Sequence, residues 1–116
     1  MPYVKVHSTV NLPEDDLAKL LEHLSREVAG ALGKPERAMM ASFEETPTAM
    51  GGSCEDAAWI ELRSIGGLSP EVNGRLTRLL CSMLEDRLSI PPDRVYIHFI
   101  DVAPQNWGWN GKTFAG

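Results

Sequence analysis

The chain carries an internal repeat. When the sequence is compared with itself at an offset of 56 positions, Val4 aligns with Ile60 and Val6 with Leu62. Two apolar ladders at helical spacing coincide under the same shift: Leu20, Leu24, Val28 and Leu32 with Leu76, Leu80, Leu84 and Leu88. One inserted residue then places Pro35-Glu36-Arg37 on Pro92-Asp93-Arg94. Four elements matched in one order indicate that one supersecondary unit occurs twice.

Each half reads as a strand, a helix and a second strand. Pro13 and Pro70 stand where the first position of a helix tolerates a missing N–H. Gly33 is a stop signal for the first helix and the pair Pro91-Pro92 for the second. The predicted elements are strands near 3–8, 38–44, 58–65 and 94–101 and helices over 13–32 and 70–88.

These elements predict an α+β fold of two β-α-β repeats that form a four-stranded mixed sheet with both helices on one face. The length of 116 residues corresponds to one domain, 1–116, with repeats at about 1–57 and 58–116. The other face of the sheet is predicted to be polar, with Lys5, His7, Glu61 and Arg63. The tail, 103–116, is too short to bury its aromatic residues, so we expect it to dock onto another subunit of a symmetric oligomer.

Composition excludes several classes of protein. A formal charge of −5 argues against nucleic-acid binding as the main function. No apolar run reaches the roughly 20 residues of a membrane span, and no signal peptide is visible. Cys54 and Cys81 form neither a zinc pattern nor a disulfide framework. We therefore expect a cytoplasmic protein that is not a metalloenzyme built on Cys/His clusters, with secretion that needs no signal peptide as the alternative.

Pro2 is the most informative candidate for chemistry. Removal of Met1 would leave Pro2 with a secondary amine, and an apolar cleft or a nearby cation lowers the pKa of such an amine toward neutrality. The amine could then serve as a general base. Many chains begin Met-Pro without using the amine, so the position of Pro2 at the start of a strand adds weight to the functional reading.

Motifs along nearly the whole chain resemble the macrophage migration inhibitory factor and D-dopachrome tautomerase family of the tautomerase superfamily. The segments that carry the resemblance are Met1-Pro2, Gly33-Lys34-Pro35, Gly51-Gly52-Ser53, Ser64-Ile65-Gly66, Leu79-Leu80-Cys81, Pro92-Asp93-Arg94-Val95-Tyr96-Ile97, Gly108-Trp109-Asn110 and Thr113-Phe114. The resemblance implies a homotrimer with active sites between subunits. It also implies cofactor-free keto–enol tautomerisation of phenylpyruvate-like or dopachrome-like substrates.

The resemblance further implies roles for individual residues. Pro2 would be the catalytic base, and Lys34 would bind the substrate carboxylate or polarise its carbonyl oxygen. Ile65 would contribute its backbone N–H, and Tyr96 would come from the neighbouring subunit. Without the resemblance, Lys34 reads as a solvated helix cap and Tyr96 as a packing residue.

The aromatic end of the implied site differs from the family pattern. Trp109 and Phe114 would line an aromatic slot, as in the family. His98 replaces the asparagine of well-known members at the ring end of the substrate, and the charge of histidine varies with pH. Trp107 replaces a smaller aliphatic residue and could narrow the pocket. The Cys-x-x-Cys motif of the animal factor is absent, so no thiol–oxidoreductase activity is expected.

Two other functions remain open at the level of sequence. A non-catalytic, cytokine-like trimer that binds other proteins is one alternative. Decarboxylation or dehalogenation by the same amine is another, but superfamily relatives with those activities use extra arginines or carboxylates near the base. The strand positions offer no clear candidate for such residues.

Overall fold

Two β-α-β units build the chain, as the repeat predicts, and the computed structural model describes all residues, 1–116. The main elements are β1 (Pro2–Ser8), α1 (Glu14–Leu32), β2 (Met40–Glu45), β3 (Ala58–Ser64), α2 (Pro70–Leu88) and β4 (Val95–Asp101). A short 3₁₀ turn precedes the second strand of each half, at Glu36–Ala38 and Pro92–Arg94. These turns take up residues predicted to be strand, so β2 and β4 begin later than expected.

The four strands form one mixed sheet in the order β2-β1-β3-β4. Within each half the two strands are parallel. The central strands β1 and β3 are antiparallel, with Pro2 opposite Ser64 and Ser8 opposite Ala58. This pairing joins the two halves and confirms the predicted mixed sheet.

The core lies between the sheet and the helices. Side chains alternate along β1 and β3, and Val4, Val6, Ile60 and Leu62 are fully buried on the helix side. Each such side chain contributes about 1.5–3 kcal/mol by leaving water. The helices supply most of the remaining buried residues: Leu20, Leu24, Val28, Leu32, Leu76, Leu80, Met83, Leu84 and Leu88. The two ladders recognised in the sequence are therefore the helix half of the core.

The helix ends use different capping residues. Pro13 occupies the N-cap of α1 without a side-chain cap, so the helix begins at Glu14, one position after the predicted start. Helix α2 begins with an N-cap serine, Ser69, whose hydroxyl accepts a hydrogen bond from the Val72 N–H at 3.1 Å. Gly33 ends α1 in the left-handed conformation, as predicted. Ser89, with φ of 56°, ends α2 in the same way, so α2 stops before Pro91 is reached.

Substitution Ser69→Ala is expected to lower the free energy of unfolding by about 0.5–2 kcal/mol, because the Val72 N–H at the helix start loses its partner. Chemical denaturation measures the change. Ser82→Ala, at an exposed position of the same helix, is the matched control and should change stability by less than about 0.5 kcal/mol. Equal effects of the two substitutions would contradict the capping role.

The tail after β4 forms a small hairpin of its own. Strands β5 (Gly108–Trp109) and β6 (Lys112–Thr113) pair antiparallel around Asn110 and Gly111. A 3₁₀ turn, Pro104–Asn106, leads into this hairpin. The hairpin folds the aromatic tail back to one end of the sheet, where the candidate site lies.

Neither helix is long and apolar enough to cross a membrane.

Candidate active site

Pro2 is buried at the end of the sheet where β1 begins. Its backbone neighbours there are Ser64, directly opposite in β3, and Ile65, whose N–H donates a hydrogen bond to the Met1 carbonyl oxygen at 3.2 Å. Burial, and then the charge of Lys34, lowers the pKa of the Met1 amine. An amine at this end of the chain therefore lies in surroundings that disfavour its protonated form.

Lys34 reaches this end of the sheet because α1 stops just before it. The left-handed Gly33 turns the chain, and the Lys34 ammonium then donates a hydrogen bond to the Ile65 carbonyl oxygen at 2.9 Å. Gly67 leaves room for the lysine stem, since a Cβ atom there would lie 3.3 Å from Lys34 Cε. The lysine is thus held against β3, next to the start of β1, and is not a freely solvated cap.

A cleft of about 920 Å³ opens beside Pro2. The parts of the chain that line it are residues 1–3, Pro35, residues 37–40, Arg63, Val102 and residues 106–109. The lining is mostly apolar, with two tryptophans and three methionines, and a few polar groups are placed among them. This combination is typical of small-molecule sites.

The tail places its aromatic residues at this cleft in two ways. Trp107 and Trp109 line it directly. Phe114 does not; it stacks on Trp109, with ring centroids 6.0 Å apart and an interplanar angle of 10°. The Phe114 N–H also donates to the Trp107 carbonyl oxygen at 3.1 Å. Phe114 therefore positions the Trp109 ring within the chain.

Tyr96 and His98 lie away from Pro2 in the chain. The register runs from Pro2 to Ser64 in β3 and from Ser64 to Asp101 in β4. Tyr96 comes five residues before Asp101, which corresponds to about 16 Å along a strand. Both side chains contact Trp59 instead, with ring centroids at 6.4 Å and 5.9 Å. A single chain brings Pro2, Lys34, Ile65, Trp107 and Trp109 to one end of the sheet, but not Tyr96 or His98.

Two arginines that were not predicted at the site, Arg37 and Arg63, line the cleft. Arg63, in β3, is the neighbour of Tyr3, and its guanidinium pairs with the Glu61 carboxylate at 3.1 Å. Arg37 comes from the 3₁₀ turn after α1 and is exposed. The expectation that no strand position offers an arginine near the base was wrong. The antiparallel register of β1 and β3 was the missing information, because it puts Arg63 one residue from the partner of Pro2.

The face of the sheet remote from the helices is polar, as predicted, and its charges are paired. Lys5 Nζ lies 3.0 Å from the Glu44 carboxylate, which raises the pKa of Lys5 and lowers that of Glu44. His7 Nδ1 lies 3.5 Å from the same carboxylate. The hydrogen bond from the Trp59 indole, and then the charge of Arg63, lowers the pKa of Glu61. Glu44 belongs to β2 and pairs with both Lys5 and His7 of β1.

The remaining reactive side chains do not form a second site of this kind. Cys54 is exposed and Cys81 is half-buried, and both are free thiols. Burial raises the pKa of the Cys81 thiol, which disfavours the nucleophilic thiolate. No group of three His, Cys, Asp or Glu side chains is arranged to bind a metal ion. The cleft beside Pro2 is therefore the best-formed candidate site.

Paired β-α-β units on one sheet, with a buried proline at the start of β1 beside a cleft, define the tautomerase-superfamily class of fold. The profile of the family described as "Macrophage migration inhibitory factor (MIF)" matches residues 1–115. The chain belongs to this family, which confirms the resemblance found in the sequence.

Individual relatives agree with this assignment. The macrophage migration inhibitory factor of Rattus norvegicus is 37% identical over 121 residues, covering 99% of this chain and 100% of that protein. The homolog of Brugia malayi is 35% identical, covering 98% of this chain and 99% of that protein. Among solved structures, the homologue from Prochlorococcus marinus superposes with a TM-score of 0.92 at 37% identity, covering 97% of this chain and 98% of that one. The similarity extends over the whole fold, including both halves and the tail.

Proposed function

We propose that this protein is a cofactor-free keto–enol tautomerase that acts on small aromatic 2-keto acids of the phenylpyruvate or dopachrome type. The amine of Pro2, freed by removal of Met1, is the general base. One observation carries the proposal: the amine end of β1 is buried beside Lys34, at a cleft that admits a small molecule.

The surroundings of Pro2 suit a base. Burial and the charge of Lys34 both lower the pKa of the Met1 amine. Once Met1 is removed, the new amine lies one residue further into the sheet, at a residue that is itself fully buried. Burial and the charge of Lys34, the two causes that disfavour the protonated Met1 amine, then surround the Pro2 amine. An unprotonated amine at neutral pH can accept the proton alpha to a carbonyl.

The Met1 carbonyl oxygen marks where a substrate oxygen would bind. In the chain that retains Met1, the Ile65 N–H donates to this oxygen. Removal of Met1 takes the acceptor away and leaves a backbone donor beside Pro2. A carboxylate or carbonyl oxygen of the substrate can replace it. This supports the role of the Ile65 N–H that the family resemblance implies.

The proton transfer follows from these positions. Pro2 accepts a proton from the carbon next to the keto group, and the C–H electron pair becomes the C=C bond of the enol. Negative charge develops on the former keto oxygen, and the Lys34 ammonium and the Ile65 N–H at this end of the sheet would stabilise it by donating hydrogen bonds. Proton return to that oxygen completes the enol. Trp107 and Trp109 provide apolar surface for the aromatic ring.

Assembly into a homotrimer would bring Tyr96 and His98 to the site. Tyr96 lies beside Trp59 toward the end of the sheet opposite Pro2, His98 lies in the middle of β4 next to Glu61, and Trp59, Tyr96 and His98 are all exposed. A neighbouring subunit can therefore present them to the cleft of the next one. His98 would donate or accept a hydrogen bond at the ring end of the substrate. Exposed aromatic residues beside a polar sheet face support such an interface.

The trimer is testable by mass. Light scattering at micromolar protein concentration should give three times the chain mass of 12.8 kDa. Tyr96→Ala should reduce turnover by raising KM, because it removes a contact that the neighbouring subunit supplies. A monomeric mass would contradict the shared site.

Turnover of phenylpyruvate tests the reaction itself. The Met1-free protein should accelerate the enol–keto interconversion, followed by ultraviolet absorbance of the enol. Pro2→Gly, which replaces the ring amine by a more flexible one, should lose at least about tenfold. Pro47→Gly, an exposed loop position away from the cleft, is the matched control. Equal rates in the Pro2 and Pro47 variants would contradict the assignment of the base.

A protein-binding trimer without catalysis is the second candidate. It is favoured by the relatives, which are named as a macrophage migration inhibitory factor and a homolog of that factor. Absence of turnover in a Met1-free trimer with intact Pro2 would favour this alternative.

A further inference from the structure

The cleft beside Pro2 is positively charged within an acidic protein. Acidic residues outnumber Lys and Arg 16 to 11 in the chain. Yet no acidic residue is among those that line the cleft, and two arginines are, Arg37 and Arg63. Lys34 adds a third cation next to the same end of the sheet. A concave site lined by positive charges attracts and orients anions.

The two arginines approach the cleft from opposite sides of β1. Tyr3 has Met40 of β2 as its partner on one side and Arg63 of β3 on the other. Because neighbouring strands are about 4.8 Å apart, Met40 and Arg63 are separated by about 10 Å across β1. Arg37 lies three residues before Met40, in the turn that leads into β2. The two arginines of the cleft therefore belong to elements on either side of β1, Arg37 to the turn before β2 and Arg63 to β3.

The state of each guanidinium indicates which is free for a ligand. Glu61 neutralises Arg63 in part, through the 3.1 Å ion pair. The ion pairs of the chain do not include Arg37, and no side-chain hydrogen bond engages it. Lys34 is committed to the Ile65 carbonyl oxygen next to Pro2. Arg37 is thus a cation in the cleft that neither the fold nor the proposed proton transfer uses.

The size of the cleft leaves room for a ligand with two charged ends. A volume of about 920 Å³ is at the upper end of the range for small-molecule sites, roughly 300–1,000 Å³. A 2-keto acid whose own carboxylate is held near Lys34 and Ile65 can extend past Pro2 toward the arginines. Guanidinium binds carboxylate through two parallel hydrogen bonds, which favours a second carboxylate at that end.

We propose that the cleft selects dianionic 2-keto acids, with a second carboxylate at the end remote from the keto group bound by Arg37 and assisted by Arg63. Turnover of such dianions rests on the proposed function, whereas their binding by the arginines does not. Phenylpyruvate, a monoanion, is then a weaker substrate than an analogue that carries a carboxylate on its ring.

Calorimetric titration separates binding from turnover. The probes are 3-phenylpropanoate and 3-(4-carboxyphenyl)propanoate, which lack the keto group, do not react and differ by one carboxylate. The protein without Met1 should bind the dianion at least about tenfold more tightly, because a charge-assisted hydrogen bond is worth roughly that factor. The preference should shrink as salt is raised.

Two variants and a control locate the binding group. Arg37→Gln should remove most of the preference while changing the affinity for the monoanion by less than about twofold. Arg63→Gln should remove a smaller part, because Glu61 already neutralises Arg63 in part. Arg78→Gln, an exposed arginine of α2, removes the same charge elsewhere and should leave the preference intact. Equal binding of both probes by the unsubstituted protein, or a preference that survives both cleft variants, would overturn the proposal.

Kinetics with phenylpyruvate and 4-carboxyphenylpyruvate test the role of Pro2 and the anion site separately. The carboxylated substrate should show a lower KM at similar kcat, and Arg37→Gln should raise that KM alone. A dianion preference without turnover of either keto acid would overturn the role of Pro2 and keep the anion site. Turnover of both keto acids with equal KM would keep the role of Pro2 and overturn the anion site.

Discussion

Insertion of an alanine between Met1 and Pro2 is expected to abolish tautomerase activity, with a loss of at least about 10²–10⁴-fold. The nitrogen of Pro2 is then held in a tertiary amide, whose lone pair is delocalised into the carbonyl and cannot accept a proton. The same applies to any chain that retains Met1, whose carbonyl also occupies the Ile65 N–H. Phenylpyruvate turnover, on protein whose intact mass has been measured, gives the size of the loss.

The control is a chain released from a cleavable leader so that Pro2 is its first residue. It should have full activity, whereas the inserted chain should keep the same oligomeric mass and the same circular dichroism. Full activity in a chain verified to retain Met1 would exclude Pro2 as the base. The fold and the family membership do not depend on that outcome.

Substitution Leu80→Ala is expected to lower the free energy of unfolding by about 2–5 kcal/mol, since it removes a fully buried side chain and leaves a cavity between helix and sheet. Leu24, its equivalent in the first repeat, is equally buried, and Leu24→Ala should cost a similar amount. Denaturant titration measures both. A domain with a total stability of about 5–15 kcal/mol loses much of it in either variant.

Ser82→Ala is the control for this experiment as well, because it lies two residues from Leu80 in α2 and is exposed. Its effect should stay within about 0.5 kcal/mol. If Leu24→Ala and Leu80→Ala differed by more than the spread expected from cavity collapse, the equivalence of the two repeats in the core would be wrong.

Local patterns predicted the secondary structure because their physical causes are local. The leucine ladders at helical spacing correspond to α1 and α2 almost to the residue. The alternation of Val4 and Val6 and of Ile60 and Leu62 gave the two central strands and their buried face. Gly33 was a reliable stop because glycine adopts the left-handed conformation at little cost. Ser89 was not recognised as a cap, because nothing local marks a serine for that conformation.

The site depended on information of another kind. Pro2 stood out from its position in the sequence, and the family resemblance pointed to Lys34 and Ile65. No pattern connected Arg37 or Arg63 with Pro2, because their meeting depends on which strands pair and in what register.

By itself, the sequence determined the repeat, the four strands and two helices, and the buried faces, since spacing along the chain dictates which side chains share a face. Only the tertiary structure decided what surrounds Pro2. The antiparallel pairing of β1 with β3 brought Arg63 beside Tyr3, and the turn after α1 brought Arg37 to the same cleft. Strand order and register arise from contacts between residues far apart in the chain, and periodicity within one segment carries no record of them.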